Sequence, residues 1–123
     1  MRRVLIVDDE RLVADTLALV FEKGGFEARA AYSVNQALED VRGFVPDLLL
    51  CDITMPDHDG LVLVQQISKE FPDCRIMVLT GFYSNLKAVY DEAKNLSSPM
   101  SIHTKPCQPD ELLREASALL ATA

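Results

Sequence analysis

Short apolar runs alternate with longer amphipathic stretches along the chain. Runs rich in Val, Ile and Leu, too short for a helix, occupy positions 4–7, 48–51 and 76–79. Such runs suit strands that are buried on both faces, as in a parallel sheet. Two runs with more polar residues, at 28–32 and 100–104, fit edge strands. The pattern therefore predicts five strands.

Between these strands, apolar residues recur at helical spacing, as Val13, Leu17 and Phe21 do in the first stretch. Five helices are predicted, and residues that start or stop helices bound them. These residues are Gly24 and Gly25 after the first helix, a capping box of Ser33 and Gln36 before the second with Gly43 and Pro46 behind it, Gly60 and Pro72 around the third, Ser84 before the fourth, and Pro109 at the first position of the fifth. The fourth helix would carry Leu86, Val89, Tyr90 and Ala93.

Strand and helix alternate strictly, five times. This order implies parallel pairing through right-handed crossovers, with helices on both faces of the sheet. We therefore predict an α/β fold, a doubly wound three-layer sandwich. Residues 1–123 are expected to form a single domain with no second domain behind it.

Composition and charge narrow the class of protein. Hydrophobic residues make up 49% and charged residues 25%, as in an ordinary globular domain. Twelve basic against nineteen acidic residues give a net charge of −7, which disfavours direct binding of nucleic acid or anionic membranes. No apolar run approaches the roughly 20 residues of a membrane span. Three cysteines without CxxC spacing indicate reduced thiols, and we expect a cytoplasmic location.

Polar side chains follow four of the predicted strands: Asp8, Asp9, Asp52, Thr80 and Lys105. In a doubly wound sheet, ligands bind beyond the carboxyl ends of the strands, so we expect these side chains to lie together. Two carboxylates about 5 Å apart repel each other with an energy on the order of 3 kcal/mol. Positive charges must therefore compensate for this repulsion. Lys105 supplies one positive charge. A divalent cation with oxygen ligands, Mg²⁺ or in its place Mn²⁺, would supply the remaining positive charge. The lack of clustered His or Cys argues against zinc.

A carboxylate beside Mg²⁺, a lysine and a hydroxyl is suited to nucleophilic attack on phosphorus, which would give an aspartyl-phosphate. Charge alone does not choose the nucleophile. Asp52 ends the most apolar strand and has one defined direction. Asp8 and Asp9 are adjacent and point opposite ways on an extended chain, which suits one direct and one water-mediated metal contact.

Four segments at these strand ends carry a family resemblance: VLIVDDE at 4–10, PDLLLCDITMPDHDG at 46–60, IMVLTG at 76–81 and TKP at 104–106. With these segments in this order, the chain resembles a chemotaxis-regulator-like receiver domain of two-component response regulators. The resemblance covers essentially the whole length of the chain. The resemblance implies a flavodoxin-like sheet in the order 2-1-3-4-5. It also implies that Asp52 accepts the phosphoryl group and that Mg²⁺ is bound by Asp8, Asp9, Asp52 and the backbone carbonyl of Thr54. Thr80 and Lys105 would bind the phosphoryl group, and Pro106 would follow a cis peptide bond.

The same resemblance implies a signalling switch without separate substrate turnover, which assists its own phosphorylation and dephosphorylation. Its phosphoryl donor would be a phosphohistidine on a sensor histidine kinase or a histidine phosphotransfer domain. Its output would go to an unidentified downstream protein or to a second copy of the chain in a phosphorylation-dependent homodimer.

Some residues depart from the family pattern and keep alternatives open. Ile102 stands three residues before the lysine, where receivers usually have Tyr or Phe. The first alternative is a degenerate receiver that binds partners without phosphorylation. A Mg²⁺-dependent phosphatase is less favoured, because Thr54 stands where such enzymes place a second Asp as general acid. A flavin-binding protein of the same fold is also less favoured, because the flavin phosphate would meet the acidic residues of the site. Apolar Phe82 cannot orient an attacking water, so we expect an aspartyl-phosphate that is not especially short-lived.

Overall fold

The structure of the protein is a computed structural model that describes residues 2–53, 60–81, 91 and 100–121. Its elements, in chain order, are β1 (Arg3–Val7), α1 (Arg11–Lys23), β2 (Glu27–Ala31), α2 (Val34–Gly43), β3 (Leu48–Asp52), α3 (Gly60–Glu70), β4 (Arg75–Thr80), β5 (Met100–Thr104) and α4 (Pro109–Ala121). All five predicted strands are present, with four of the five predicted helices. The helix predicted after Ser84 lies outside the described residues.

The five strands form one parallel sheet in the order β2-β1-β3-β4-β5, which confirms the predicted fold class. The register pairs Val7 with both Ala31 and Cys51, and Thr80 with Thr104. Because all strands run the same way, their carboxyl ends form a single edge of the sheet. This edge carries the polar residues that the sequence placed after the strands.

Two buried clusters, one on each face of the sheet, form the core. Leu5 and Val7 of β1 face the cluster packed under α2 and α3, whereas Val4 and Ile6 face the one under α1 and α4. A strand buried on both faces needs apolar residues at every position, which explains the uninterrupted run at 4–7. Of the described helices, none has the length and apolar character needed to cross a membrane.

The strands extend to polar residues that an apolar pattern does not include. β3 and β4 end on Asp52 and Thr80, one residue beyond the predicted runs. β2 ends at Ala31 rather than Tyr32, because its register follows that of β1. Tyr32 then donates its backbone N–H to Oε1 of Gln36 at 3.0 Å.

The predicted capping box of α2 is half present. Ser33 Oγ accepts from the Gln36 N–H at 3.0 Å, as expected. The Gln36 side chain, however, reaches Tyr32 instead of the Ser33 N–H. The physical reason is that Tyr32 has left the β1–β2 ladder, so its N–H needs another acceptor.

A glycine brings α3 against the end of β3. Gly60 is the first residue of α3, not the residue before it as the sequence suggested. A Cβ on Gly60 would lie 2.6 Å from Cα of Ile53 and 2.8 Å from the carbonyl oxygen of Asp52. Both are backbone atoms, so only glycine fits here without a shift. The close approach fixes α3 directly beside Asp52.

Candidate functional site

The ends of four strands bring the predicted site residues to one place. Asp8 follows β1 and continues its pairing with β2, since its N–H donates to the Ala31 carbonyl at 3.1 Å. Asp52 and Thr80 are the last residues of β3 and β4. Lys105 follows β5, and its N–H donates to the Thr80 carbonyl at 2.8 Å. The sheet itself therefore positions these side chains.

Three carboxylates form a cluster at this edge. Asp8, Asp9 and Asp52 each place one carboxylate oxygen within 4.8 Å of the others. Asp8 is 1% and Asp52 3% exposed, whereas Asp9 is exposed. Asp8 and Asp9 thus differ in burial, but their carboxylates reach the same cluster instead of pointing opposite ways.

Lys105 joins two of the carboxylates. Its Nζ lies 2.8 Å from Asp52 Oδ2 and 3.4 Å from Asp8 Oδ2. The other oxygen of Asp8 accepts the backbone N–H of Glu10 at 3.0 Å. The Lys105–Pro106 peptide is cis, as the sequence led us to expect.

Burial and neighbouring charges shift the pKa values of Asp8 and Lys105. Burial raises the pKa of Asp8 and the nearby charge of Asp52 adds to this, against the lowering effects of the Glu10 N–H and of Lys105. Burial alone would lower the pKa of Lys105. The hydrogen bond and charge of Asp52, with those of Asp8, outweigh burial, so the pKa of Lys105 is raised. The ammonium is therefore held in its charged form.

The donor set fits a hard divalent cation. Three carboxylates against one ammonium give the cluster a formal charge of −2. All donors in the cluster are oxygens, the ligands that Mg²⁺ prefers. Thr54, the fourth expected ligand, lies outside the described residues.

The remaining predicted residues take different places. Thr80 is buried at the same edge of the sheet. Ile102 pairs with Val78 in the β4–β5 ladder and packs on the cluster under α2 and α3. Phe82 lies outside the described residues.

One group of residues, from α1 and the residue after β2, was missed by the sequence analysis. The Arg11 guanidinium lies over the ring of Tyr32, with Cζ 4.2 Å from the ring centroid. The Tyr32 hydroxyl donates to Oδ1 of Asp15 at 2.6 Å. The sequence could have drawn attention to Arg11, because a basic residue is unfavourable at the first position of a helix.

Comparison with known proteins gives consistent matches. The sequence model described as the response regulator receiver domain matches residues 4–117. Similar solved structures include a CheY-like response regulator receiver domain protein from Methanospirillum hungatei, which is 27% identical with a TM-score of 0.88, over 99% of this chain and 95% of that one. Chemotaxis protein CheY4 of Vibrio cholerae is 24% identical with a TM-score of 0.84, over 97% and 98% of the two chains. NtrX of Brucella abortus, solved with ADP, is 27% identical with a TM-score of 0.84, and the match covers 99% of this chain but only 28% of NtrX.

Proposed function

The chain belongs to the response regulator receiver domain family, and we propose that it is a phosphoacceptor switch in which Asp52 takes a phosphoryl group from a phosphohistidine. One observation carries the proposal: a carboxylate that is 3% exposed lies 2.8 Å from a lysine ammonium, inside a cluster of three aspartates. Burial and the ammonium give this carboxylate a fixed direction at the edge of the sheet where ligands bind.

In the proposed step, a carboxylate oxygen of Asp52 attacks phosphorus. A P–O bond forms, and the P–N bond to the donor imidazole breaks. The donor ring carries a proton on its other nitrogen before the transfer, so the bonding electron pair stays on the nitrogen that leaves phosphorus and the imidazole departs neutral. Lys105, which already touches Asp52 and Asp8, screens the phosphoryl oxygens as their charge redistributes. The buried Thr80 hydroxyl is assigned to bind the phosphoryl group once it has arrived.

Mg²⁺ would be held by Asp8, Asp9, Asp52 and the backbone carbonyl of Thr54, and Mn²⁺ can replace it. When bound, the cation neutralises charge on the phosphoryl oxygens. Asp8 is suited to this role because the Glu10 N–H and Lys105 each bind one of its oxygens, which fixes the carboxylate in orientation. Asp9, on the exposed side, suits a contact through water.

Phosphorylation adds up to about two negative charges and three strong acceptor oxygens. Thr80 and Lys105 respond together, because the Lys105 N–H is bonded to the Thr80 carbonyl at 2.8 Å. We assign the donor to a sensor histidine kinase or a histidine phosphotransfer domain. The output goes to another protein, or to a second copy of the chain, that reads the altered surface around these two loops.

Intact mass spectrometry tests the proposal. After incubation with phosphoramidate and Mg²⁺, the protein should gain about 80 Da, one phosphoryl group. Asp52→Asn and an EDTA control should show no gain. Asp73→Asn, which alters an exposed aspartate outside the cluster, should behave as wild type. If neither phosphoramidate nor a phosphorylated phosphotransfer domain modifies the wild-type protein, the proposal is wrong and the degenerate-receiver alternative is favoured.

A further inference from the structure

We propose that Arg11, held over the ring of Tyr32, binds the anionic phosphoryl group of the incoming donor at the rim of the Asp52 site. This inference rests on the proposed function and adds a residue that helps to bind the donor. The chemistry recognised is a phosphoryl group, whether on a small molecule or on a histidine side chain.

The Tyr32 ring is a fixed support for the guanidinium. Its hydroxyl donates to Asp15 at 2.6 Å, and its backbone N–H donates to Gln36 at 3.0 Å. The ring is therefore held at both ends, and Arg11 Cζ lies 4.2 Å from its centroid. A guanidinium resting on an aromatic ring keeps its N–H groups in its own plane, where they can form paired hydrogen bonds to phosphate oxygens.

Arg11 and Tyr32 are both adjacent in sequence to groups that hold Asp8. Arg11 follows Glu10, whose N–H binds Asp8 Oδ1 at 3.0 Å. Tyr32 follows Ala31, whose carbonyl accepts the Asp8 N–H at 3.1 Å. In the strand order β2-β1-β3-β4-β5, Tyr32 lies at the β2 end and Lys105 at the β5 end. Arg11 and Tyr32 therefore lie on the β2 side of Asp8, whereas Lys105 reaches the carboxylates from β5.

The helix dipole disfavours an arginine at this position, although Asp15, four residues along α1, offers an opposite charge. Arg11 is the first residue of α1, at the positive end of the helix dipole, where a cation is unfavourable. The first turn holds no acidic residue, and the side chain of the N-cap Glu10 makes no capping bond. Local rules are most often broken at functional sites. A cation kept there by a clamped aromatic ring fits recognition of an anion.

The experiment compares phosphorylation rates of wild type and Arg11→Gln with acetyl phosphate and with phosphoramidate at low ionic strength. A charge pair about 6 Å apart in water changes an equilibrium by about threefold. We expect Arg11→Gln to lower the second-order rate constant by about threefold or more with both donors. The maximal rate at saturating donor and the dephosphorylation rate should not change. The difference should shrink in about 1 M salt, where screening is strong.

Arg29→Gln is a matched control. Arg29 also lies over an aromatic ring, with Cζ 4.7 Å from the centroid of Phe44, and its loss changes the net charge equally. It pairs with Leu5 within the sheet, away from the carboxyl edge, so its rate should equal that of wild type. Arg11→Lys, which keeps the charge but loses the paired N–H groups, should recover part of the lost rate.

The stability of Arg11→Gln separates recognition from a structural role. Removing a cation from the positive end of α1 is favourable and losing its contact with the Tyr32 ring is unfavourable, so the melting temperature should change little. The inference is overturned if Arg11→Gln and Arg29→Gln give equal rates, if the deficit appears only with acetyl phosphate, or if it persists in high salt with a lowered maximal rate. If wild type itself is not phosphorylated, the proposed function has failed instead.

Discussion

Replacing Lys105 by methionine tests the electrostatic account of the site. The change keeps an unbranched side chain that is one atom shorter, and it removes an ammonium that lies 2.8 Å from Asp52 and 3.4 Å from Asp8. A hydrogen bond to a charged group contributes about 1.5–3 kcal/mol, and removing one partner of a buried pair costs about 3–5 kcal/mol. The Lys105 side chain is 26% exposed, so solvent screening reduces the cost below the roughly 3–5 kcal/mol of a fully buried pair. We expect a loss of about 2–3 kcal/mol in the free energy of unfolding at pH 7.

The pH dependence of this loss has a definite sign. In wild type the pKa of Lys105 is raised, so its contribution is complete below its unfolded pKa of about 10.4 and constant between pH 5 and 7. The pKa of Asp8 is raised by burial, and losing the ammonium raises it further. A raised carboxyl pKa destabilises the fold above that pKa, and this cost falls away as the group takes up a proton. The difference between variant and wild type should therefore shrink as the pH is lowered.

Urea denaturation followed by circular dichroism, with EDTA present, measures both effects. Lys69→Met is the control, because it removes the same charge from an exposed position on α3 and should cost less than about 0.5 kcal/mol. The reasoning is refuted if Lys105→Met costs no more than Lys69→Met. It is also refuted if the cost of Lys105→Met increases as the pH falls.

Two further predictions concern packing and thiol chemistry. Gly60→Ala should destabilise by about 1–3 kcal/mol, because its Cβ meets backbone atoms at 2.6 and 2.8 Å. Gly43→Ala, with nothing within 4 Å of its Cβ, should stabilise α2 by about 0.5–1 kcal/mol, and equal melting temperatures for the two variants would contradict the packing described. Burial raises the pKa of Cys74 to about 12, so an alkylating reagent at pH 8 should modify the partly exposed Cys107 first and Cys74 only after unfolding. Equal rates of modification in the native protein would contradict this order.

Much of the fold follows from the sequence because the central strands are buried on both faces. In β1, for example, Val4 to Val7 are each at most 1% exposed. In the sequence, such a strand is visible as a continuous apolar run that is too short for a helix. Strand ends are less predictable, since Asp52 and Thr80 belong to the ladder but are polar. The partner of the Gln36 side chain also depended on where β2 stops, which tertiary register decides.

The site could be predicted in part for a topological reason. Parallel strands in a doubly wound sheet place their carboxyl ends at one edge, so Asp8, Asp52 and Lys105 had to converge. Distances and burial could not be read from the chain, nor could the support of Arg11 by Tyr32. That contact joins residues from α1 and the end of β2, and no local pattern encodes it.

The most direct test of the central claim is to locate the phosphoryl group itself. Wild-type protein phosphorylated with phosphoramidate and Mg²⁺ is reduced with borohydride, which converts an acyl phosphate to an alcohol, and its peptides are then sequenced by mass spectrometry. The account predicts homoserine at position 52 and unmodified aspartate at positions 8 and 9. Homoserine at position 8 or 9, with Asp52 unchanged, would contradict it.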